Sequence, residues 1–239
     1  MLALWQPAGP AAATNCATAN LYFAGGVTDF SSATRGARAD IQIPTTVPTI
    51  CTGAADASKF SDAWSMVFAY NPSHSTYYYA QVGFGKDTLT ETQNSYLPNA
   101  RLTSFAQYRK SDGSNWTTAI FAAPTLGSTV TYKNNWRSDD GHIHMLADGV
   151  QYLETNYDPT SYWDSSWQGQ FENETGYRDT QTWGTLNDKT IWTHVDKSDS
   201  SGNWSSFGSM TAVNQGNGAW SVNTFHPASG GWGVMVWTP

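Results

Sequence analysis

The feature that most limits what this chain can become is its run of short apolar-alternating segments, each closed by turn residues. No long stretch places apolar residues at i, i+3, i+4 and i+7 without Gly, Pro or β-forming residues interrupting it. Strand patterns recur instead. The earlier ones are Ala39–Ile43, Ala63–Tyr70, Tyr77–Phe84, Thr103–Arg109, Thr117–Ala122, Thr129–Trp136 and His142–Ala147. The later ones are Gln151–Thr155, Gln168–Thr175, Ile191–Val195, Ser221–Phe225 and Gly233–Trp237. Punctuators such as Asn71-Pro72-Ser73, Ser111-Asp112-Gly113 and Ser200-Ser201-Gly202 stand between them. In one place the turn itself is legible: Asp148-Gly149 joins His142–Ala147 to the next segment, and Asp-Gly favours a type I′ hairpin. So many strands at this spacing require two sheets packed face to face, or a barrel. No repeat of 20–50 residues points to a propeller. The expectation is an all-β, two-sheet antiparallel β-sandwich.

No break in composition divides the 239 residues, so residues 1–239 read as a single domain with residues 1–20 as an N-terminal arm. A length of this order can bury a sizeable core unaided. The formal net charge of −7, without a basic stripe, excludes nucleic acid as a natural partner. No run approaches the roughly 20 apolar residues that cross a bilayer, so membrane insertion is not expected. Met1–Asn15 lacks the basic and long apolar regions of a secretory signal and reads as the end of a mature chain. Cys16 and Cys51 either form one disulfide or remain two buried thiols, the bridge being the preferred reading. Sequons begin at Asn115, Asn173 and Asn203. These are compatible with export without showing it; the low lysine content, the abundance of Ser, Thr and Asn and the expected bridge favour an extracellular, secreted protein.

Strand alternation sorts the side chains that carry chemistry. Tyr77, Tyr79 and Gln81 share one face of their segment, while Tyr78, Ala80, Val82 and Phe84 share the other, the core side. Gln168, Gln170, Glu172 and Glu174 likewise share a face, opposite Phe171. Long polar side chains in such a row are solvated or line a groove, because burying them unpaired is costly. The candidate ligand-binding set is therefore Tyr77, Tyr79, Gln81, Gln170, Glu172 and Glu174, with Trp167 or Trp192 expected nearby. Aromatic rings stack on sugar faces and the polar groups pair with hydroxyls, so an extended polymer is the expected partner. A polysaccharide is preferred over a polypeptide, with no cofactor.

Some of these segments resemble a known family. Tyr79-Ala80-Gln81-Val82-Gly83 is similar to the strand of eqolisin-type glutamic peptidases that carries their catalytic glutamine. Asp62–Val67 resembles their Ala-Trp-Val strand, Ala37–Pro44 their strand ending in proline, and Gln168–Glu174 their glutamate-bearing strand. Neprosin-like secreted sandwich proteins share the layout. The resemblance implies a concanavalin- or lectin-like jelly roll and an acid-acting endopeptidase. In it Gln81 donates to the oxyanion, and Glu174 or Glu172 serves as general base and then acid. The chain departs from the pattern at Gln170, where the first of two same-face acids is expected and an amide cannot exchange protons.

Further arrangements are less specific. Glu172 and Glu174 lie two residues apart on a strand, a spacing compatible with glycoside hydrolysis. His142-x-His144 has the spacing of some zinc ligands, with Asp148, Glu154, His194 or His226 as a third. The simpler reading is two surface histidines beside a hairpin, and no metal is expected. No nucleophile elbow, P-loop or dinucleotide fingerprint occurs. Acidic loops at Asp139-Asp140 and Ser198–Asn203 lack an EF-hand pattern. A structural or surface-assembly protein without catalysis remains the third alternative.

Overall fold

The computed structural model describes residue 16 and residues 19–52, 59–90, 96–177, 180–215 and 220–239; most of the expected N-terminal arm lies outside these. Two antiparallel sheets stack face to face, giving the sandwich that the alternation predicts. The first holds seven strands in the order β13-β1-β10-β3-β4-β5-β6. These are β1 (Ala19–Val27), β3 (Ser61–Asn71), β4 (Thr76–Leu89), β5 (Tyr96–Arg109), β6 (Trp116–Phe121), β10 (Gln168–Tyr177) and β13 (Thr211–Gln215). The second runs β14-β15-β11-β2-β7-β8-β9, with β12 (Trp204–Ser206) paired to β11. Its members are β2 (Gly36–Gln42), β7 (Thr129–Trp136), β8 (Ile143–Ala147), β9 (Val150–Glu154), β11 (Thr190–Ser198), β14 (Ser221–Phe225) and β15 (Trp232–Trp237). Among the described residues no helix is long and apolar enough to cross a membrane.

Every strand expected from sequence is present, and three more appear. β1 contains Gly25-Gly26, which reads as a turn, yet it pairs with both β10 and β13. Residues 19 and 20 of the expected arm already belong to it. β12 and β13 are short and mostly exposed, so no apolar alternation marks them.

The core forms where the inward faces meet. Tyr78, Ala80, Val82 and Phe84 of β4 and Phe171 of β10 are fully buried against Ile41, Tyr132, Ile143, Met145, Trp192 and Val234. Alanines at 37, 39, 63, 69, 80 and 106 make room for these rings, as interdigitating layers require. Trp167 and Trp192 belong to this core, at 1% and 0% exposure, so the expectation that they flank a ligand face is not met. Bonds between sheets hold β3 from behind. Asn134 Nδ2 donates to the Ser65 carbonyl (2.7 Å) and Trp192 Nε1 to the Trp64 carbonyl (3.2 Å).

Two local features follow from backbone conformation. Asp148 and Gly149 take φ of 47° and 81°, the left-handed pair of a type I′ turn, and Ala147 pairs with Val150 across it. In β11, His194 sits at φ 48° where the register slips, so Trp192 and Val195 both face the core. Asn173, first residue of a sequon, is fully buried and donates to the Trp183 carbonyl at 2.8 Å. It serves the core, not glycosylation.

Candidate functional site

The outer face of the seven-stranded sheet carries every residue of the expected ligand set. Pairing arranges them in rungs across β10, β3, β4 and β5. One rung is Gln170–Met66–Gln81–Gln107, the next Glu172–Trp64–Gly83–Phe105, and the third Glu174–Asp62–Gly85–Thr103. The glutamine and the two acids therefore stand on the same side of one sheet, separated by the single strand β3. Neighbouring strands lie about 4.8 Å apart, so β10 and β4 are about 10 Å apart across β3; along the strands Glu172 stands one rung and Glu174 two rungs from Gln81.

Glycines create the space for this face. Gly25 of β1 pairs with Glu172, and a Cβ there would lie 2.7 Å from Glu172 Cγ. A Cβ on Gly85 would collide with Asp62 Oδ1. The room is filled by carboxyl groups and rings. Trp64, Met66 and Phe105 form a second apolar cluster on this outer face, with Phe68, Tyr79 and Ile120 packed against it. Glu172 is 2% exposed and Asp62 6%. An ordinary solvent-facing sheet is thereby excluded at this position.

Desolvation sets the electrostatics. Burial raises the Asp62 carboxyl well above the usual range, and the charges of Asp87 and Glu174 add to it. Glu172 is raised for the same first reason, with Glu174 as its repulsive neighbour. Burial pushes Glu174 up to about 7, opposed by a hydrogen bond that Trp64 Nε1 donates to its Oε2. Carboxyls crowded in this way disfavour one another's ionisation. Glu172 Oε1 and Asp62 Oδ1 are buried without a hydrogen-bond partner.

The amide side is ordered by hydrogen bonds. Gln81 Nε2 donates to Gln107 Oε1 (3.0 Å), Tyr79 Oη donates to the same oxygen (2.9 Å), and Gln107 Nε2 donates to Thr118 Oγ1 (3.0 Å). As placed, the Gln81 amide nitrogen faces Gln107 and its second N–H is free of Gln107. Burial raises the Tyr79 hydroxyl, and the Glu174 charge raises it further. Gln170 turns away from the acids, donating to Gln168 Oε1 at 2.7 Å. Along the same face lies a row of aromatic rings. Tyr77, 47% exposed, stacks on Phe68 at 4.7 Å and meets Tyr70 edge-on at 5.3 Å, while Phe30 lies 6.3 Å from Phe68.

Sequence reasoning missed Asp62, Trp64 and Gln107. The first two lie on one face of β3 in Asp62-x-Trp64, a legible alternation whose partner strand was not assigned. His144 is buried, 3% exposed, where two surface histidines were expected.

No protein-family model matches the chain, and no curated protein matches it at a significant level. By structure the chain is similar to scytalido-glutamic peptidase solved with a transition state analog inhibitor. The TM-score is 0.52 at 10% identity, covering 93% of this chain and 100% of that one. It also aligns with a glycoside hydrolase family 16 endo-glucanase from Bacteroides ovatus, at TM-score 0.37 and 12% identity over 66% of this chain and 67% of that chain. A third alignment is with a kappa-carrageenase from Zobellia galactanivorans, at TM-score 0.37 and 9% identity over 99% and 88%. The likeness to the peptidase is one of fold, and it agrees with the resemblance read from the strands.

Proposed function

We propose that the chain is a secreted hydrolase of extended polymers, an endopeptidase that uses Glu174 and Gln81. The observation that carries this reading is the set of desolvated carboxyls, Glu172, Glu174 and Asp62, on the sheet face that also bears an oriented glutamine amide. A surface that only binds a glycan has no use for acids held partly protonated by burial, whereas acid–base catalysis does. In the proposed cycle the Glu174 carboxylate takes a proton from water as the water oxygen bonds to the scissile carbonyl carbon. The free N–H of Gln81 donates to the resulting oxyanion. Protonated Glu174 then returns the proton to the amide nitrogen as the C–N bond breaks, leaving a carboxylic acid and an amine. Glu172 stands ready to share the cluster's proton. The Cys16–Cys51 disulfide supports an oxidising, extracellular setting.

The test is cleavage of casein and a peptide library between pH 3 and pH 9, with activity rising as Glu174 ionises through about pH 7. Glu174→Gln and Gln81→Ala should each lower kcat/KM at least a hundredfold while the protein stays folded. Full activity in both variants would end the proposal.

The stacked Phe68–Tyr77 pair favours a second reading, a glycan platform. It predicts retention on polysaccharide without turnover, lost in Tyr77→Ala and unaffected in Glu174→Gln.

A further inference from the structure

On the outer face of the other sheet, away from the carboxyl cluster, the β8–β9 hairpin folds a second set of ionisable groups around His144. The imidazole is buried, and its two nitrogens meet different partners. Nε2 lies 2.8 Å from Asp140 Oδ2. Nδ1 lies 2.5 Å from Gln151 Oε1 and 3.5 Å from Glu154 Oε2. One ligand atom from each of Asp140, His144 and Glu154 lies within 4.8 Å of the others.

The two edges of the ring have different meanings. In the neutral ring that donates its Nε2 proton to Asp140, the Nδ1 lone pair points at two further electron-pair donors, whereas a second proton on Nδ1 would be donated to Gln151 Oε1. Turning the Gln151 amide over gives no relief, because its Nε2 donates to Glu154 Oε2 at 2.9 Å and that bond would become an oxygen–oxygen contact. Around the neutral ring, three donor atoms of different residues thus converge with no positive group between them. A carboxylate on the far nitrogen of a metal-binding histidine is the usual second partner, since it fixes the tautomer and orients the ring.

We propose that this hairpin binds one divalent first-row transition-metal ion, Zn2+ in particular. The ligands are His144 Nδ1, Glu154 Oε2 and Gln151 Oε1, with Asp140 as a positioning residue and water completing the shell. Mixed nitrogen and oxygen donors suit zinc, whereas calcium and magnesium prefer all-oxygen sites. Glu154 and Asp140 are about half exposed, so the ion has a path in from solvent. Because β9 is the edge strand of its sheet, an ion held by His144, Gln151 and Glu154 would fasten that edge to β8.

The full chain, stripped with EDTA and dialysed, is titrated with ZnCl2 by calorimetry, and its Tm is recorded with Zn2+, Mg2+ and Ca2+. Binding of one Zn2+ per chain is expected, with a rise in Tm that Mg2+ and Ca2+ do not reproduce. Glu154→Gln, a change at an exposed side chain, should remove the binding, and Asp140→Asn should weaken it about ten- to a hundredfold. A wild-type Tm indifferent to Zn2+ overturns the proposal. So does equal Zn2+ binding in Glu154→Gln, which would place the ion elsewhere. If Tm follows only pH, a proton on His144 takes the place of the ion, and the metal reading also fails.

Discussion

The indole N–H of Trp64 donates to Glu174 Oε2 at 3.1 Å, from the strand next to the one that carries the acid. The bond belongs to the ionised carboxyl, so it works against the burial that raises Glu174 to about 7. Trp64→Phe keeps a ring in the apolar cluster and removes the donor. The carboxyl should then titrate about one pH unit higher if the bond is worth 1.5 kcal/mol or so. Carbon-detected NMR titration of the glutamate carboxyls, or the acidic limb of the pH–rate profile, reads this directly. A fall in the value would contradict the role given to the indole.

The same crowding links stability to pH. Asp62, Glu172 and Glu174 are all raised in the folded chain, so folding holds protons that the unfolded chain has released. Their contribution is intact below the ordinary carboxylate range near 4.5 and is lost as pH climbs, for Glu174 through about 7. Thermal unfolding should therefore occur at a higher Tm at pH 4 than at pH 8. Glu172→Gln removes one desolvated charge and should raise Tm at pH 8 while changing little at pH 4. A tenfold difference in proton affinity between folded and unfolded chain is worth about 1.4 kcal/mol, so the gain should be measurable. A wild-type Tm that rises from pH 4 to pH 8 would show that these acids are solvated.

Gln107 is the shared acceptor for Gln81 and Tyr79, and it is buried at 7% exposure. Gln107→Leu has similar bulk but leaves the Gln81 amide and the Tyr79 hydroxyl without their acceptor. Two effects should appear together: a loss of about 1–3 kcal/mol in stability from the orphaned donors, and a fall in kcat of the proposed hydrolysis with little change in KM. Gln107→Glu keeps the acceptor oxygen and should recover part of kcat. A loss confined to stability would mean that Gln107 only packs.

The sheet faces were legible because strand alternation is a local property: Tyr78, Ala80, Val82 and Phe84 could only be placed inward, and Tyr79 with Gln81 outward. Which strands become neighbours is a long-range property. Without the β10–β3–β4 pairing, nothing in the residues said that Asp62 and Trp64 stand between Glu172 or Glu174 and Gln81. β1 was hidden for a related reason. Gly25-Gly26 is a turn signal by composition, but in the sheet Gly25 is the gap that Glu172 fills. The tryptophans misled in the opposite direction, since abundance suggested a sugar platform and Trp167 and Trp192 went to the core instead.

Cys16 and Cys51 are joined, and the bridge sits beside that hidden strand. Cys51 is buried, its Sγ accepts a hydrogen bond from Thr180 Oγ1 at 3.3 Å, and Cys16 N donates to the Thr52 carbonyl at 2.8 Å. Residue 19, where β1 begins, follows within a few positions, so the bridge limits how far β1 can leave β10. For a separation of 35 residues the loop-entropy relation gives about 4 kcal/mol. Cys16→Ser with Cys51→Ala should therefore lower Tm by several degrees. Because β1 presents Gly25 to Glu172, a looser β1 also admits water to that carboxyl. The double variant should show a shallower decline of Tm between pH 4 and pH 8 than the bridged protein, measured by calorimetry at both values. Equal slopes would separate the staple from the acidic cluster and leave burial of Glu172 to β10 and β3 alone.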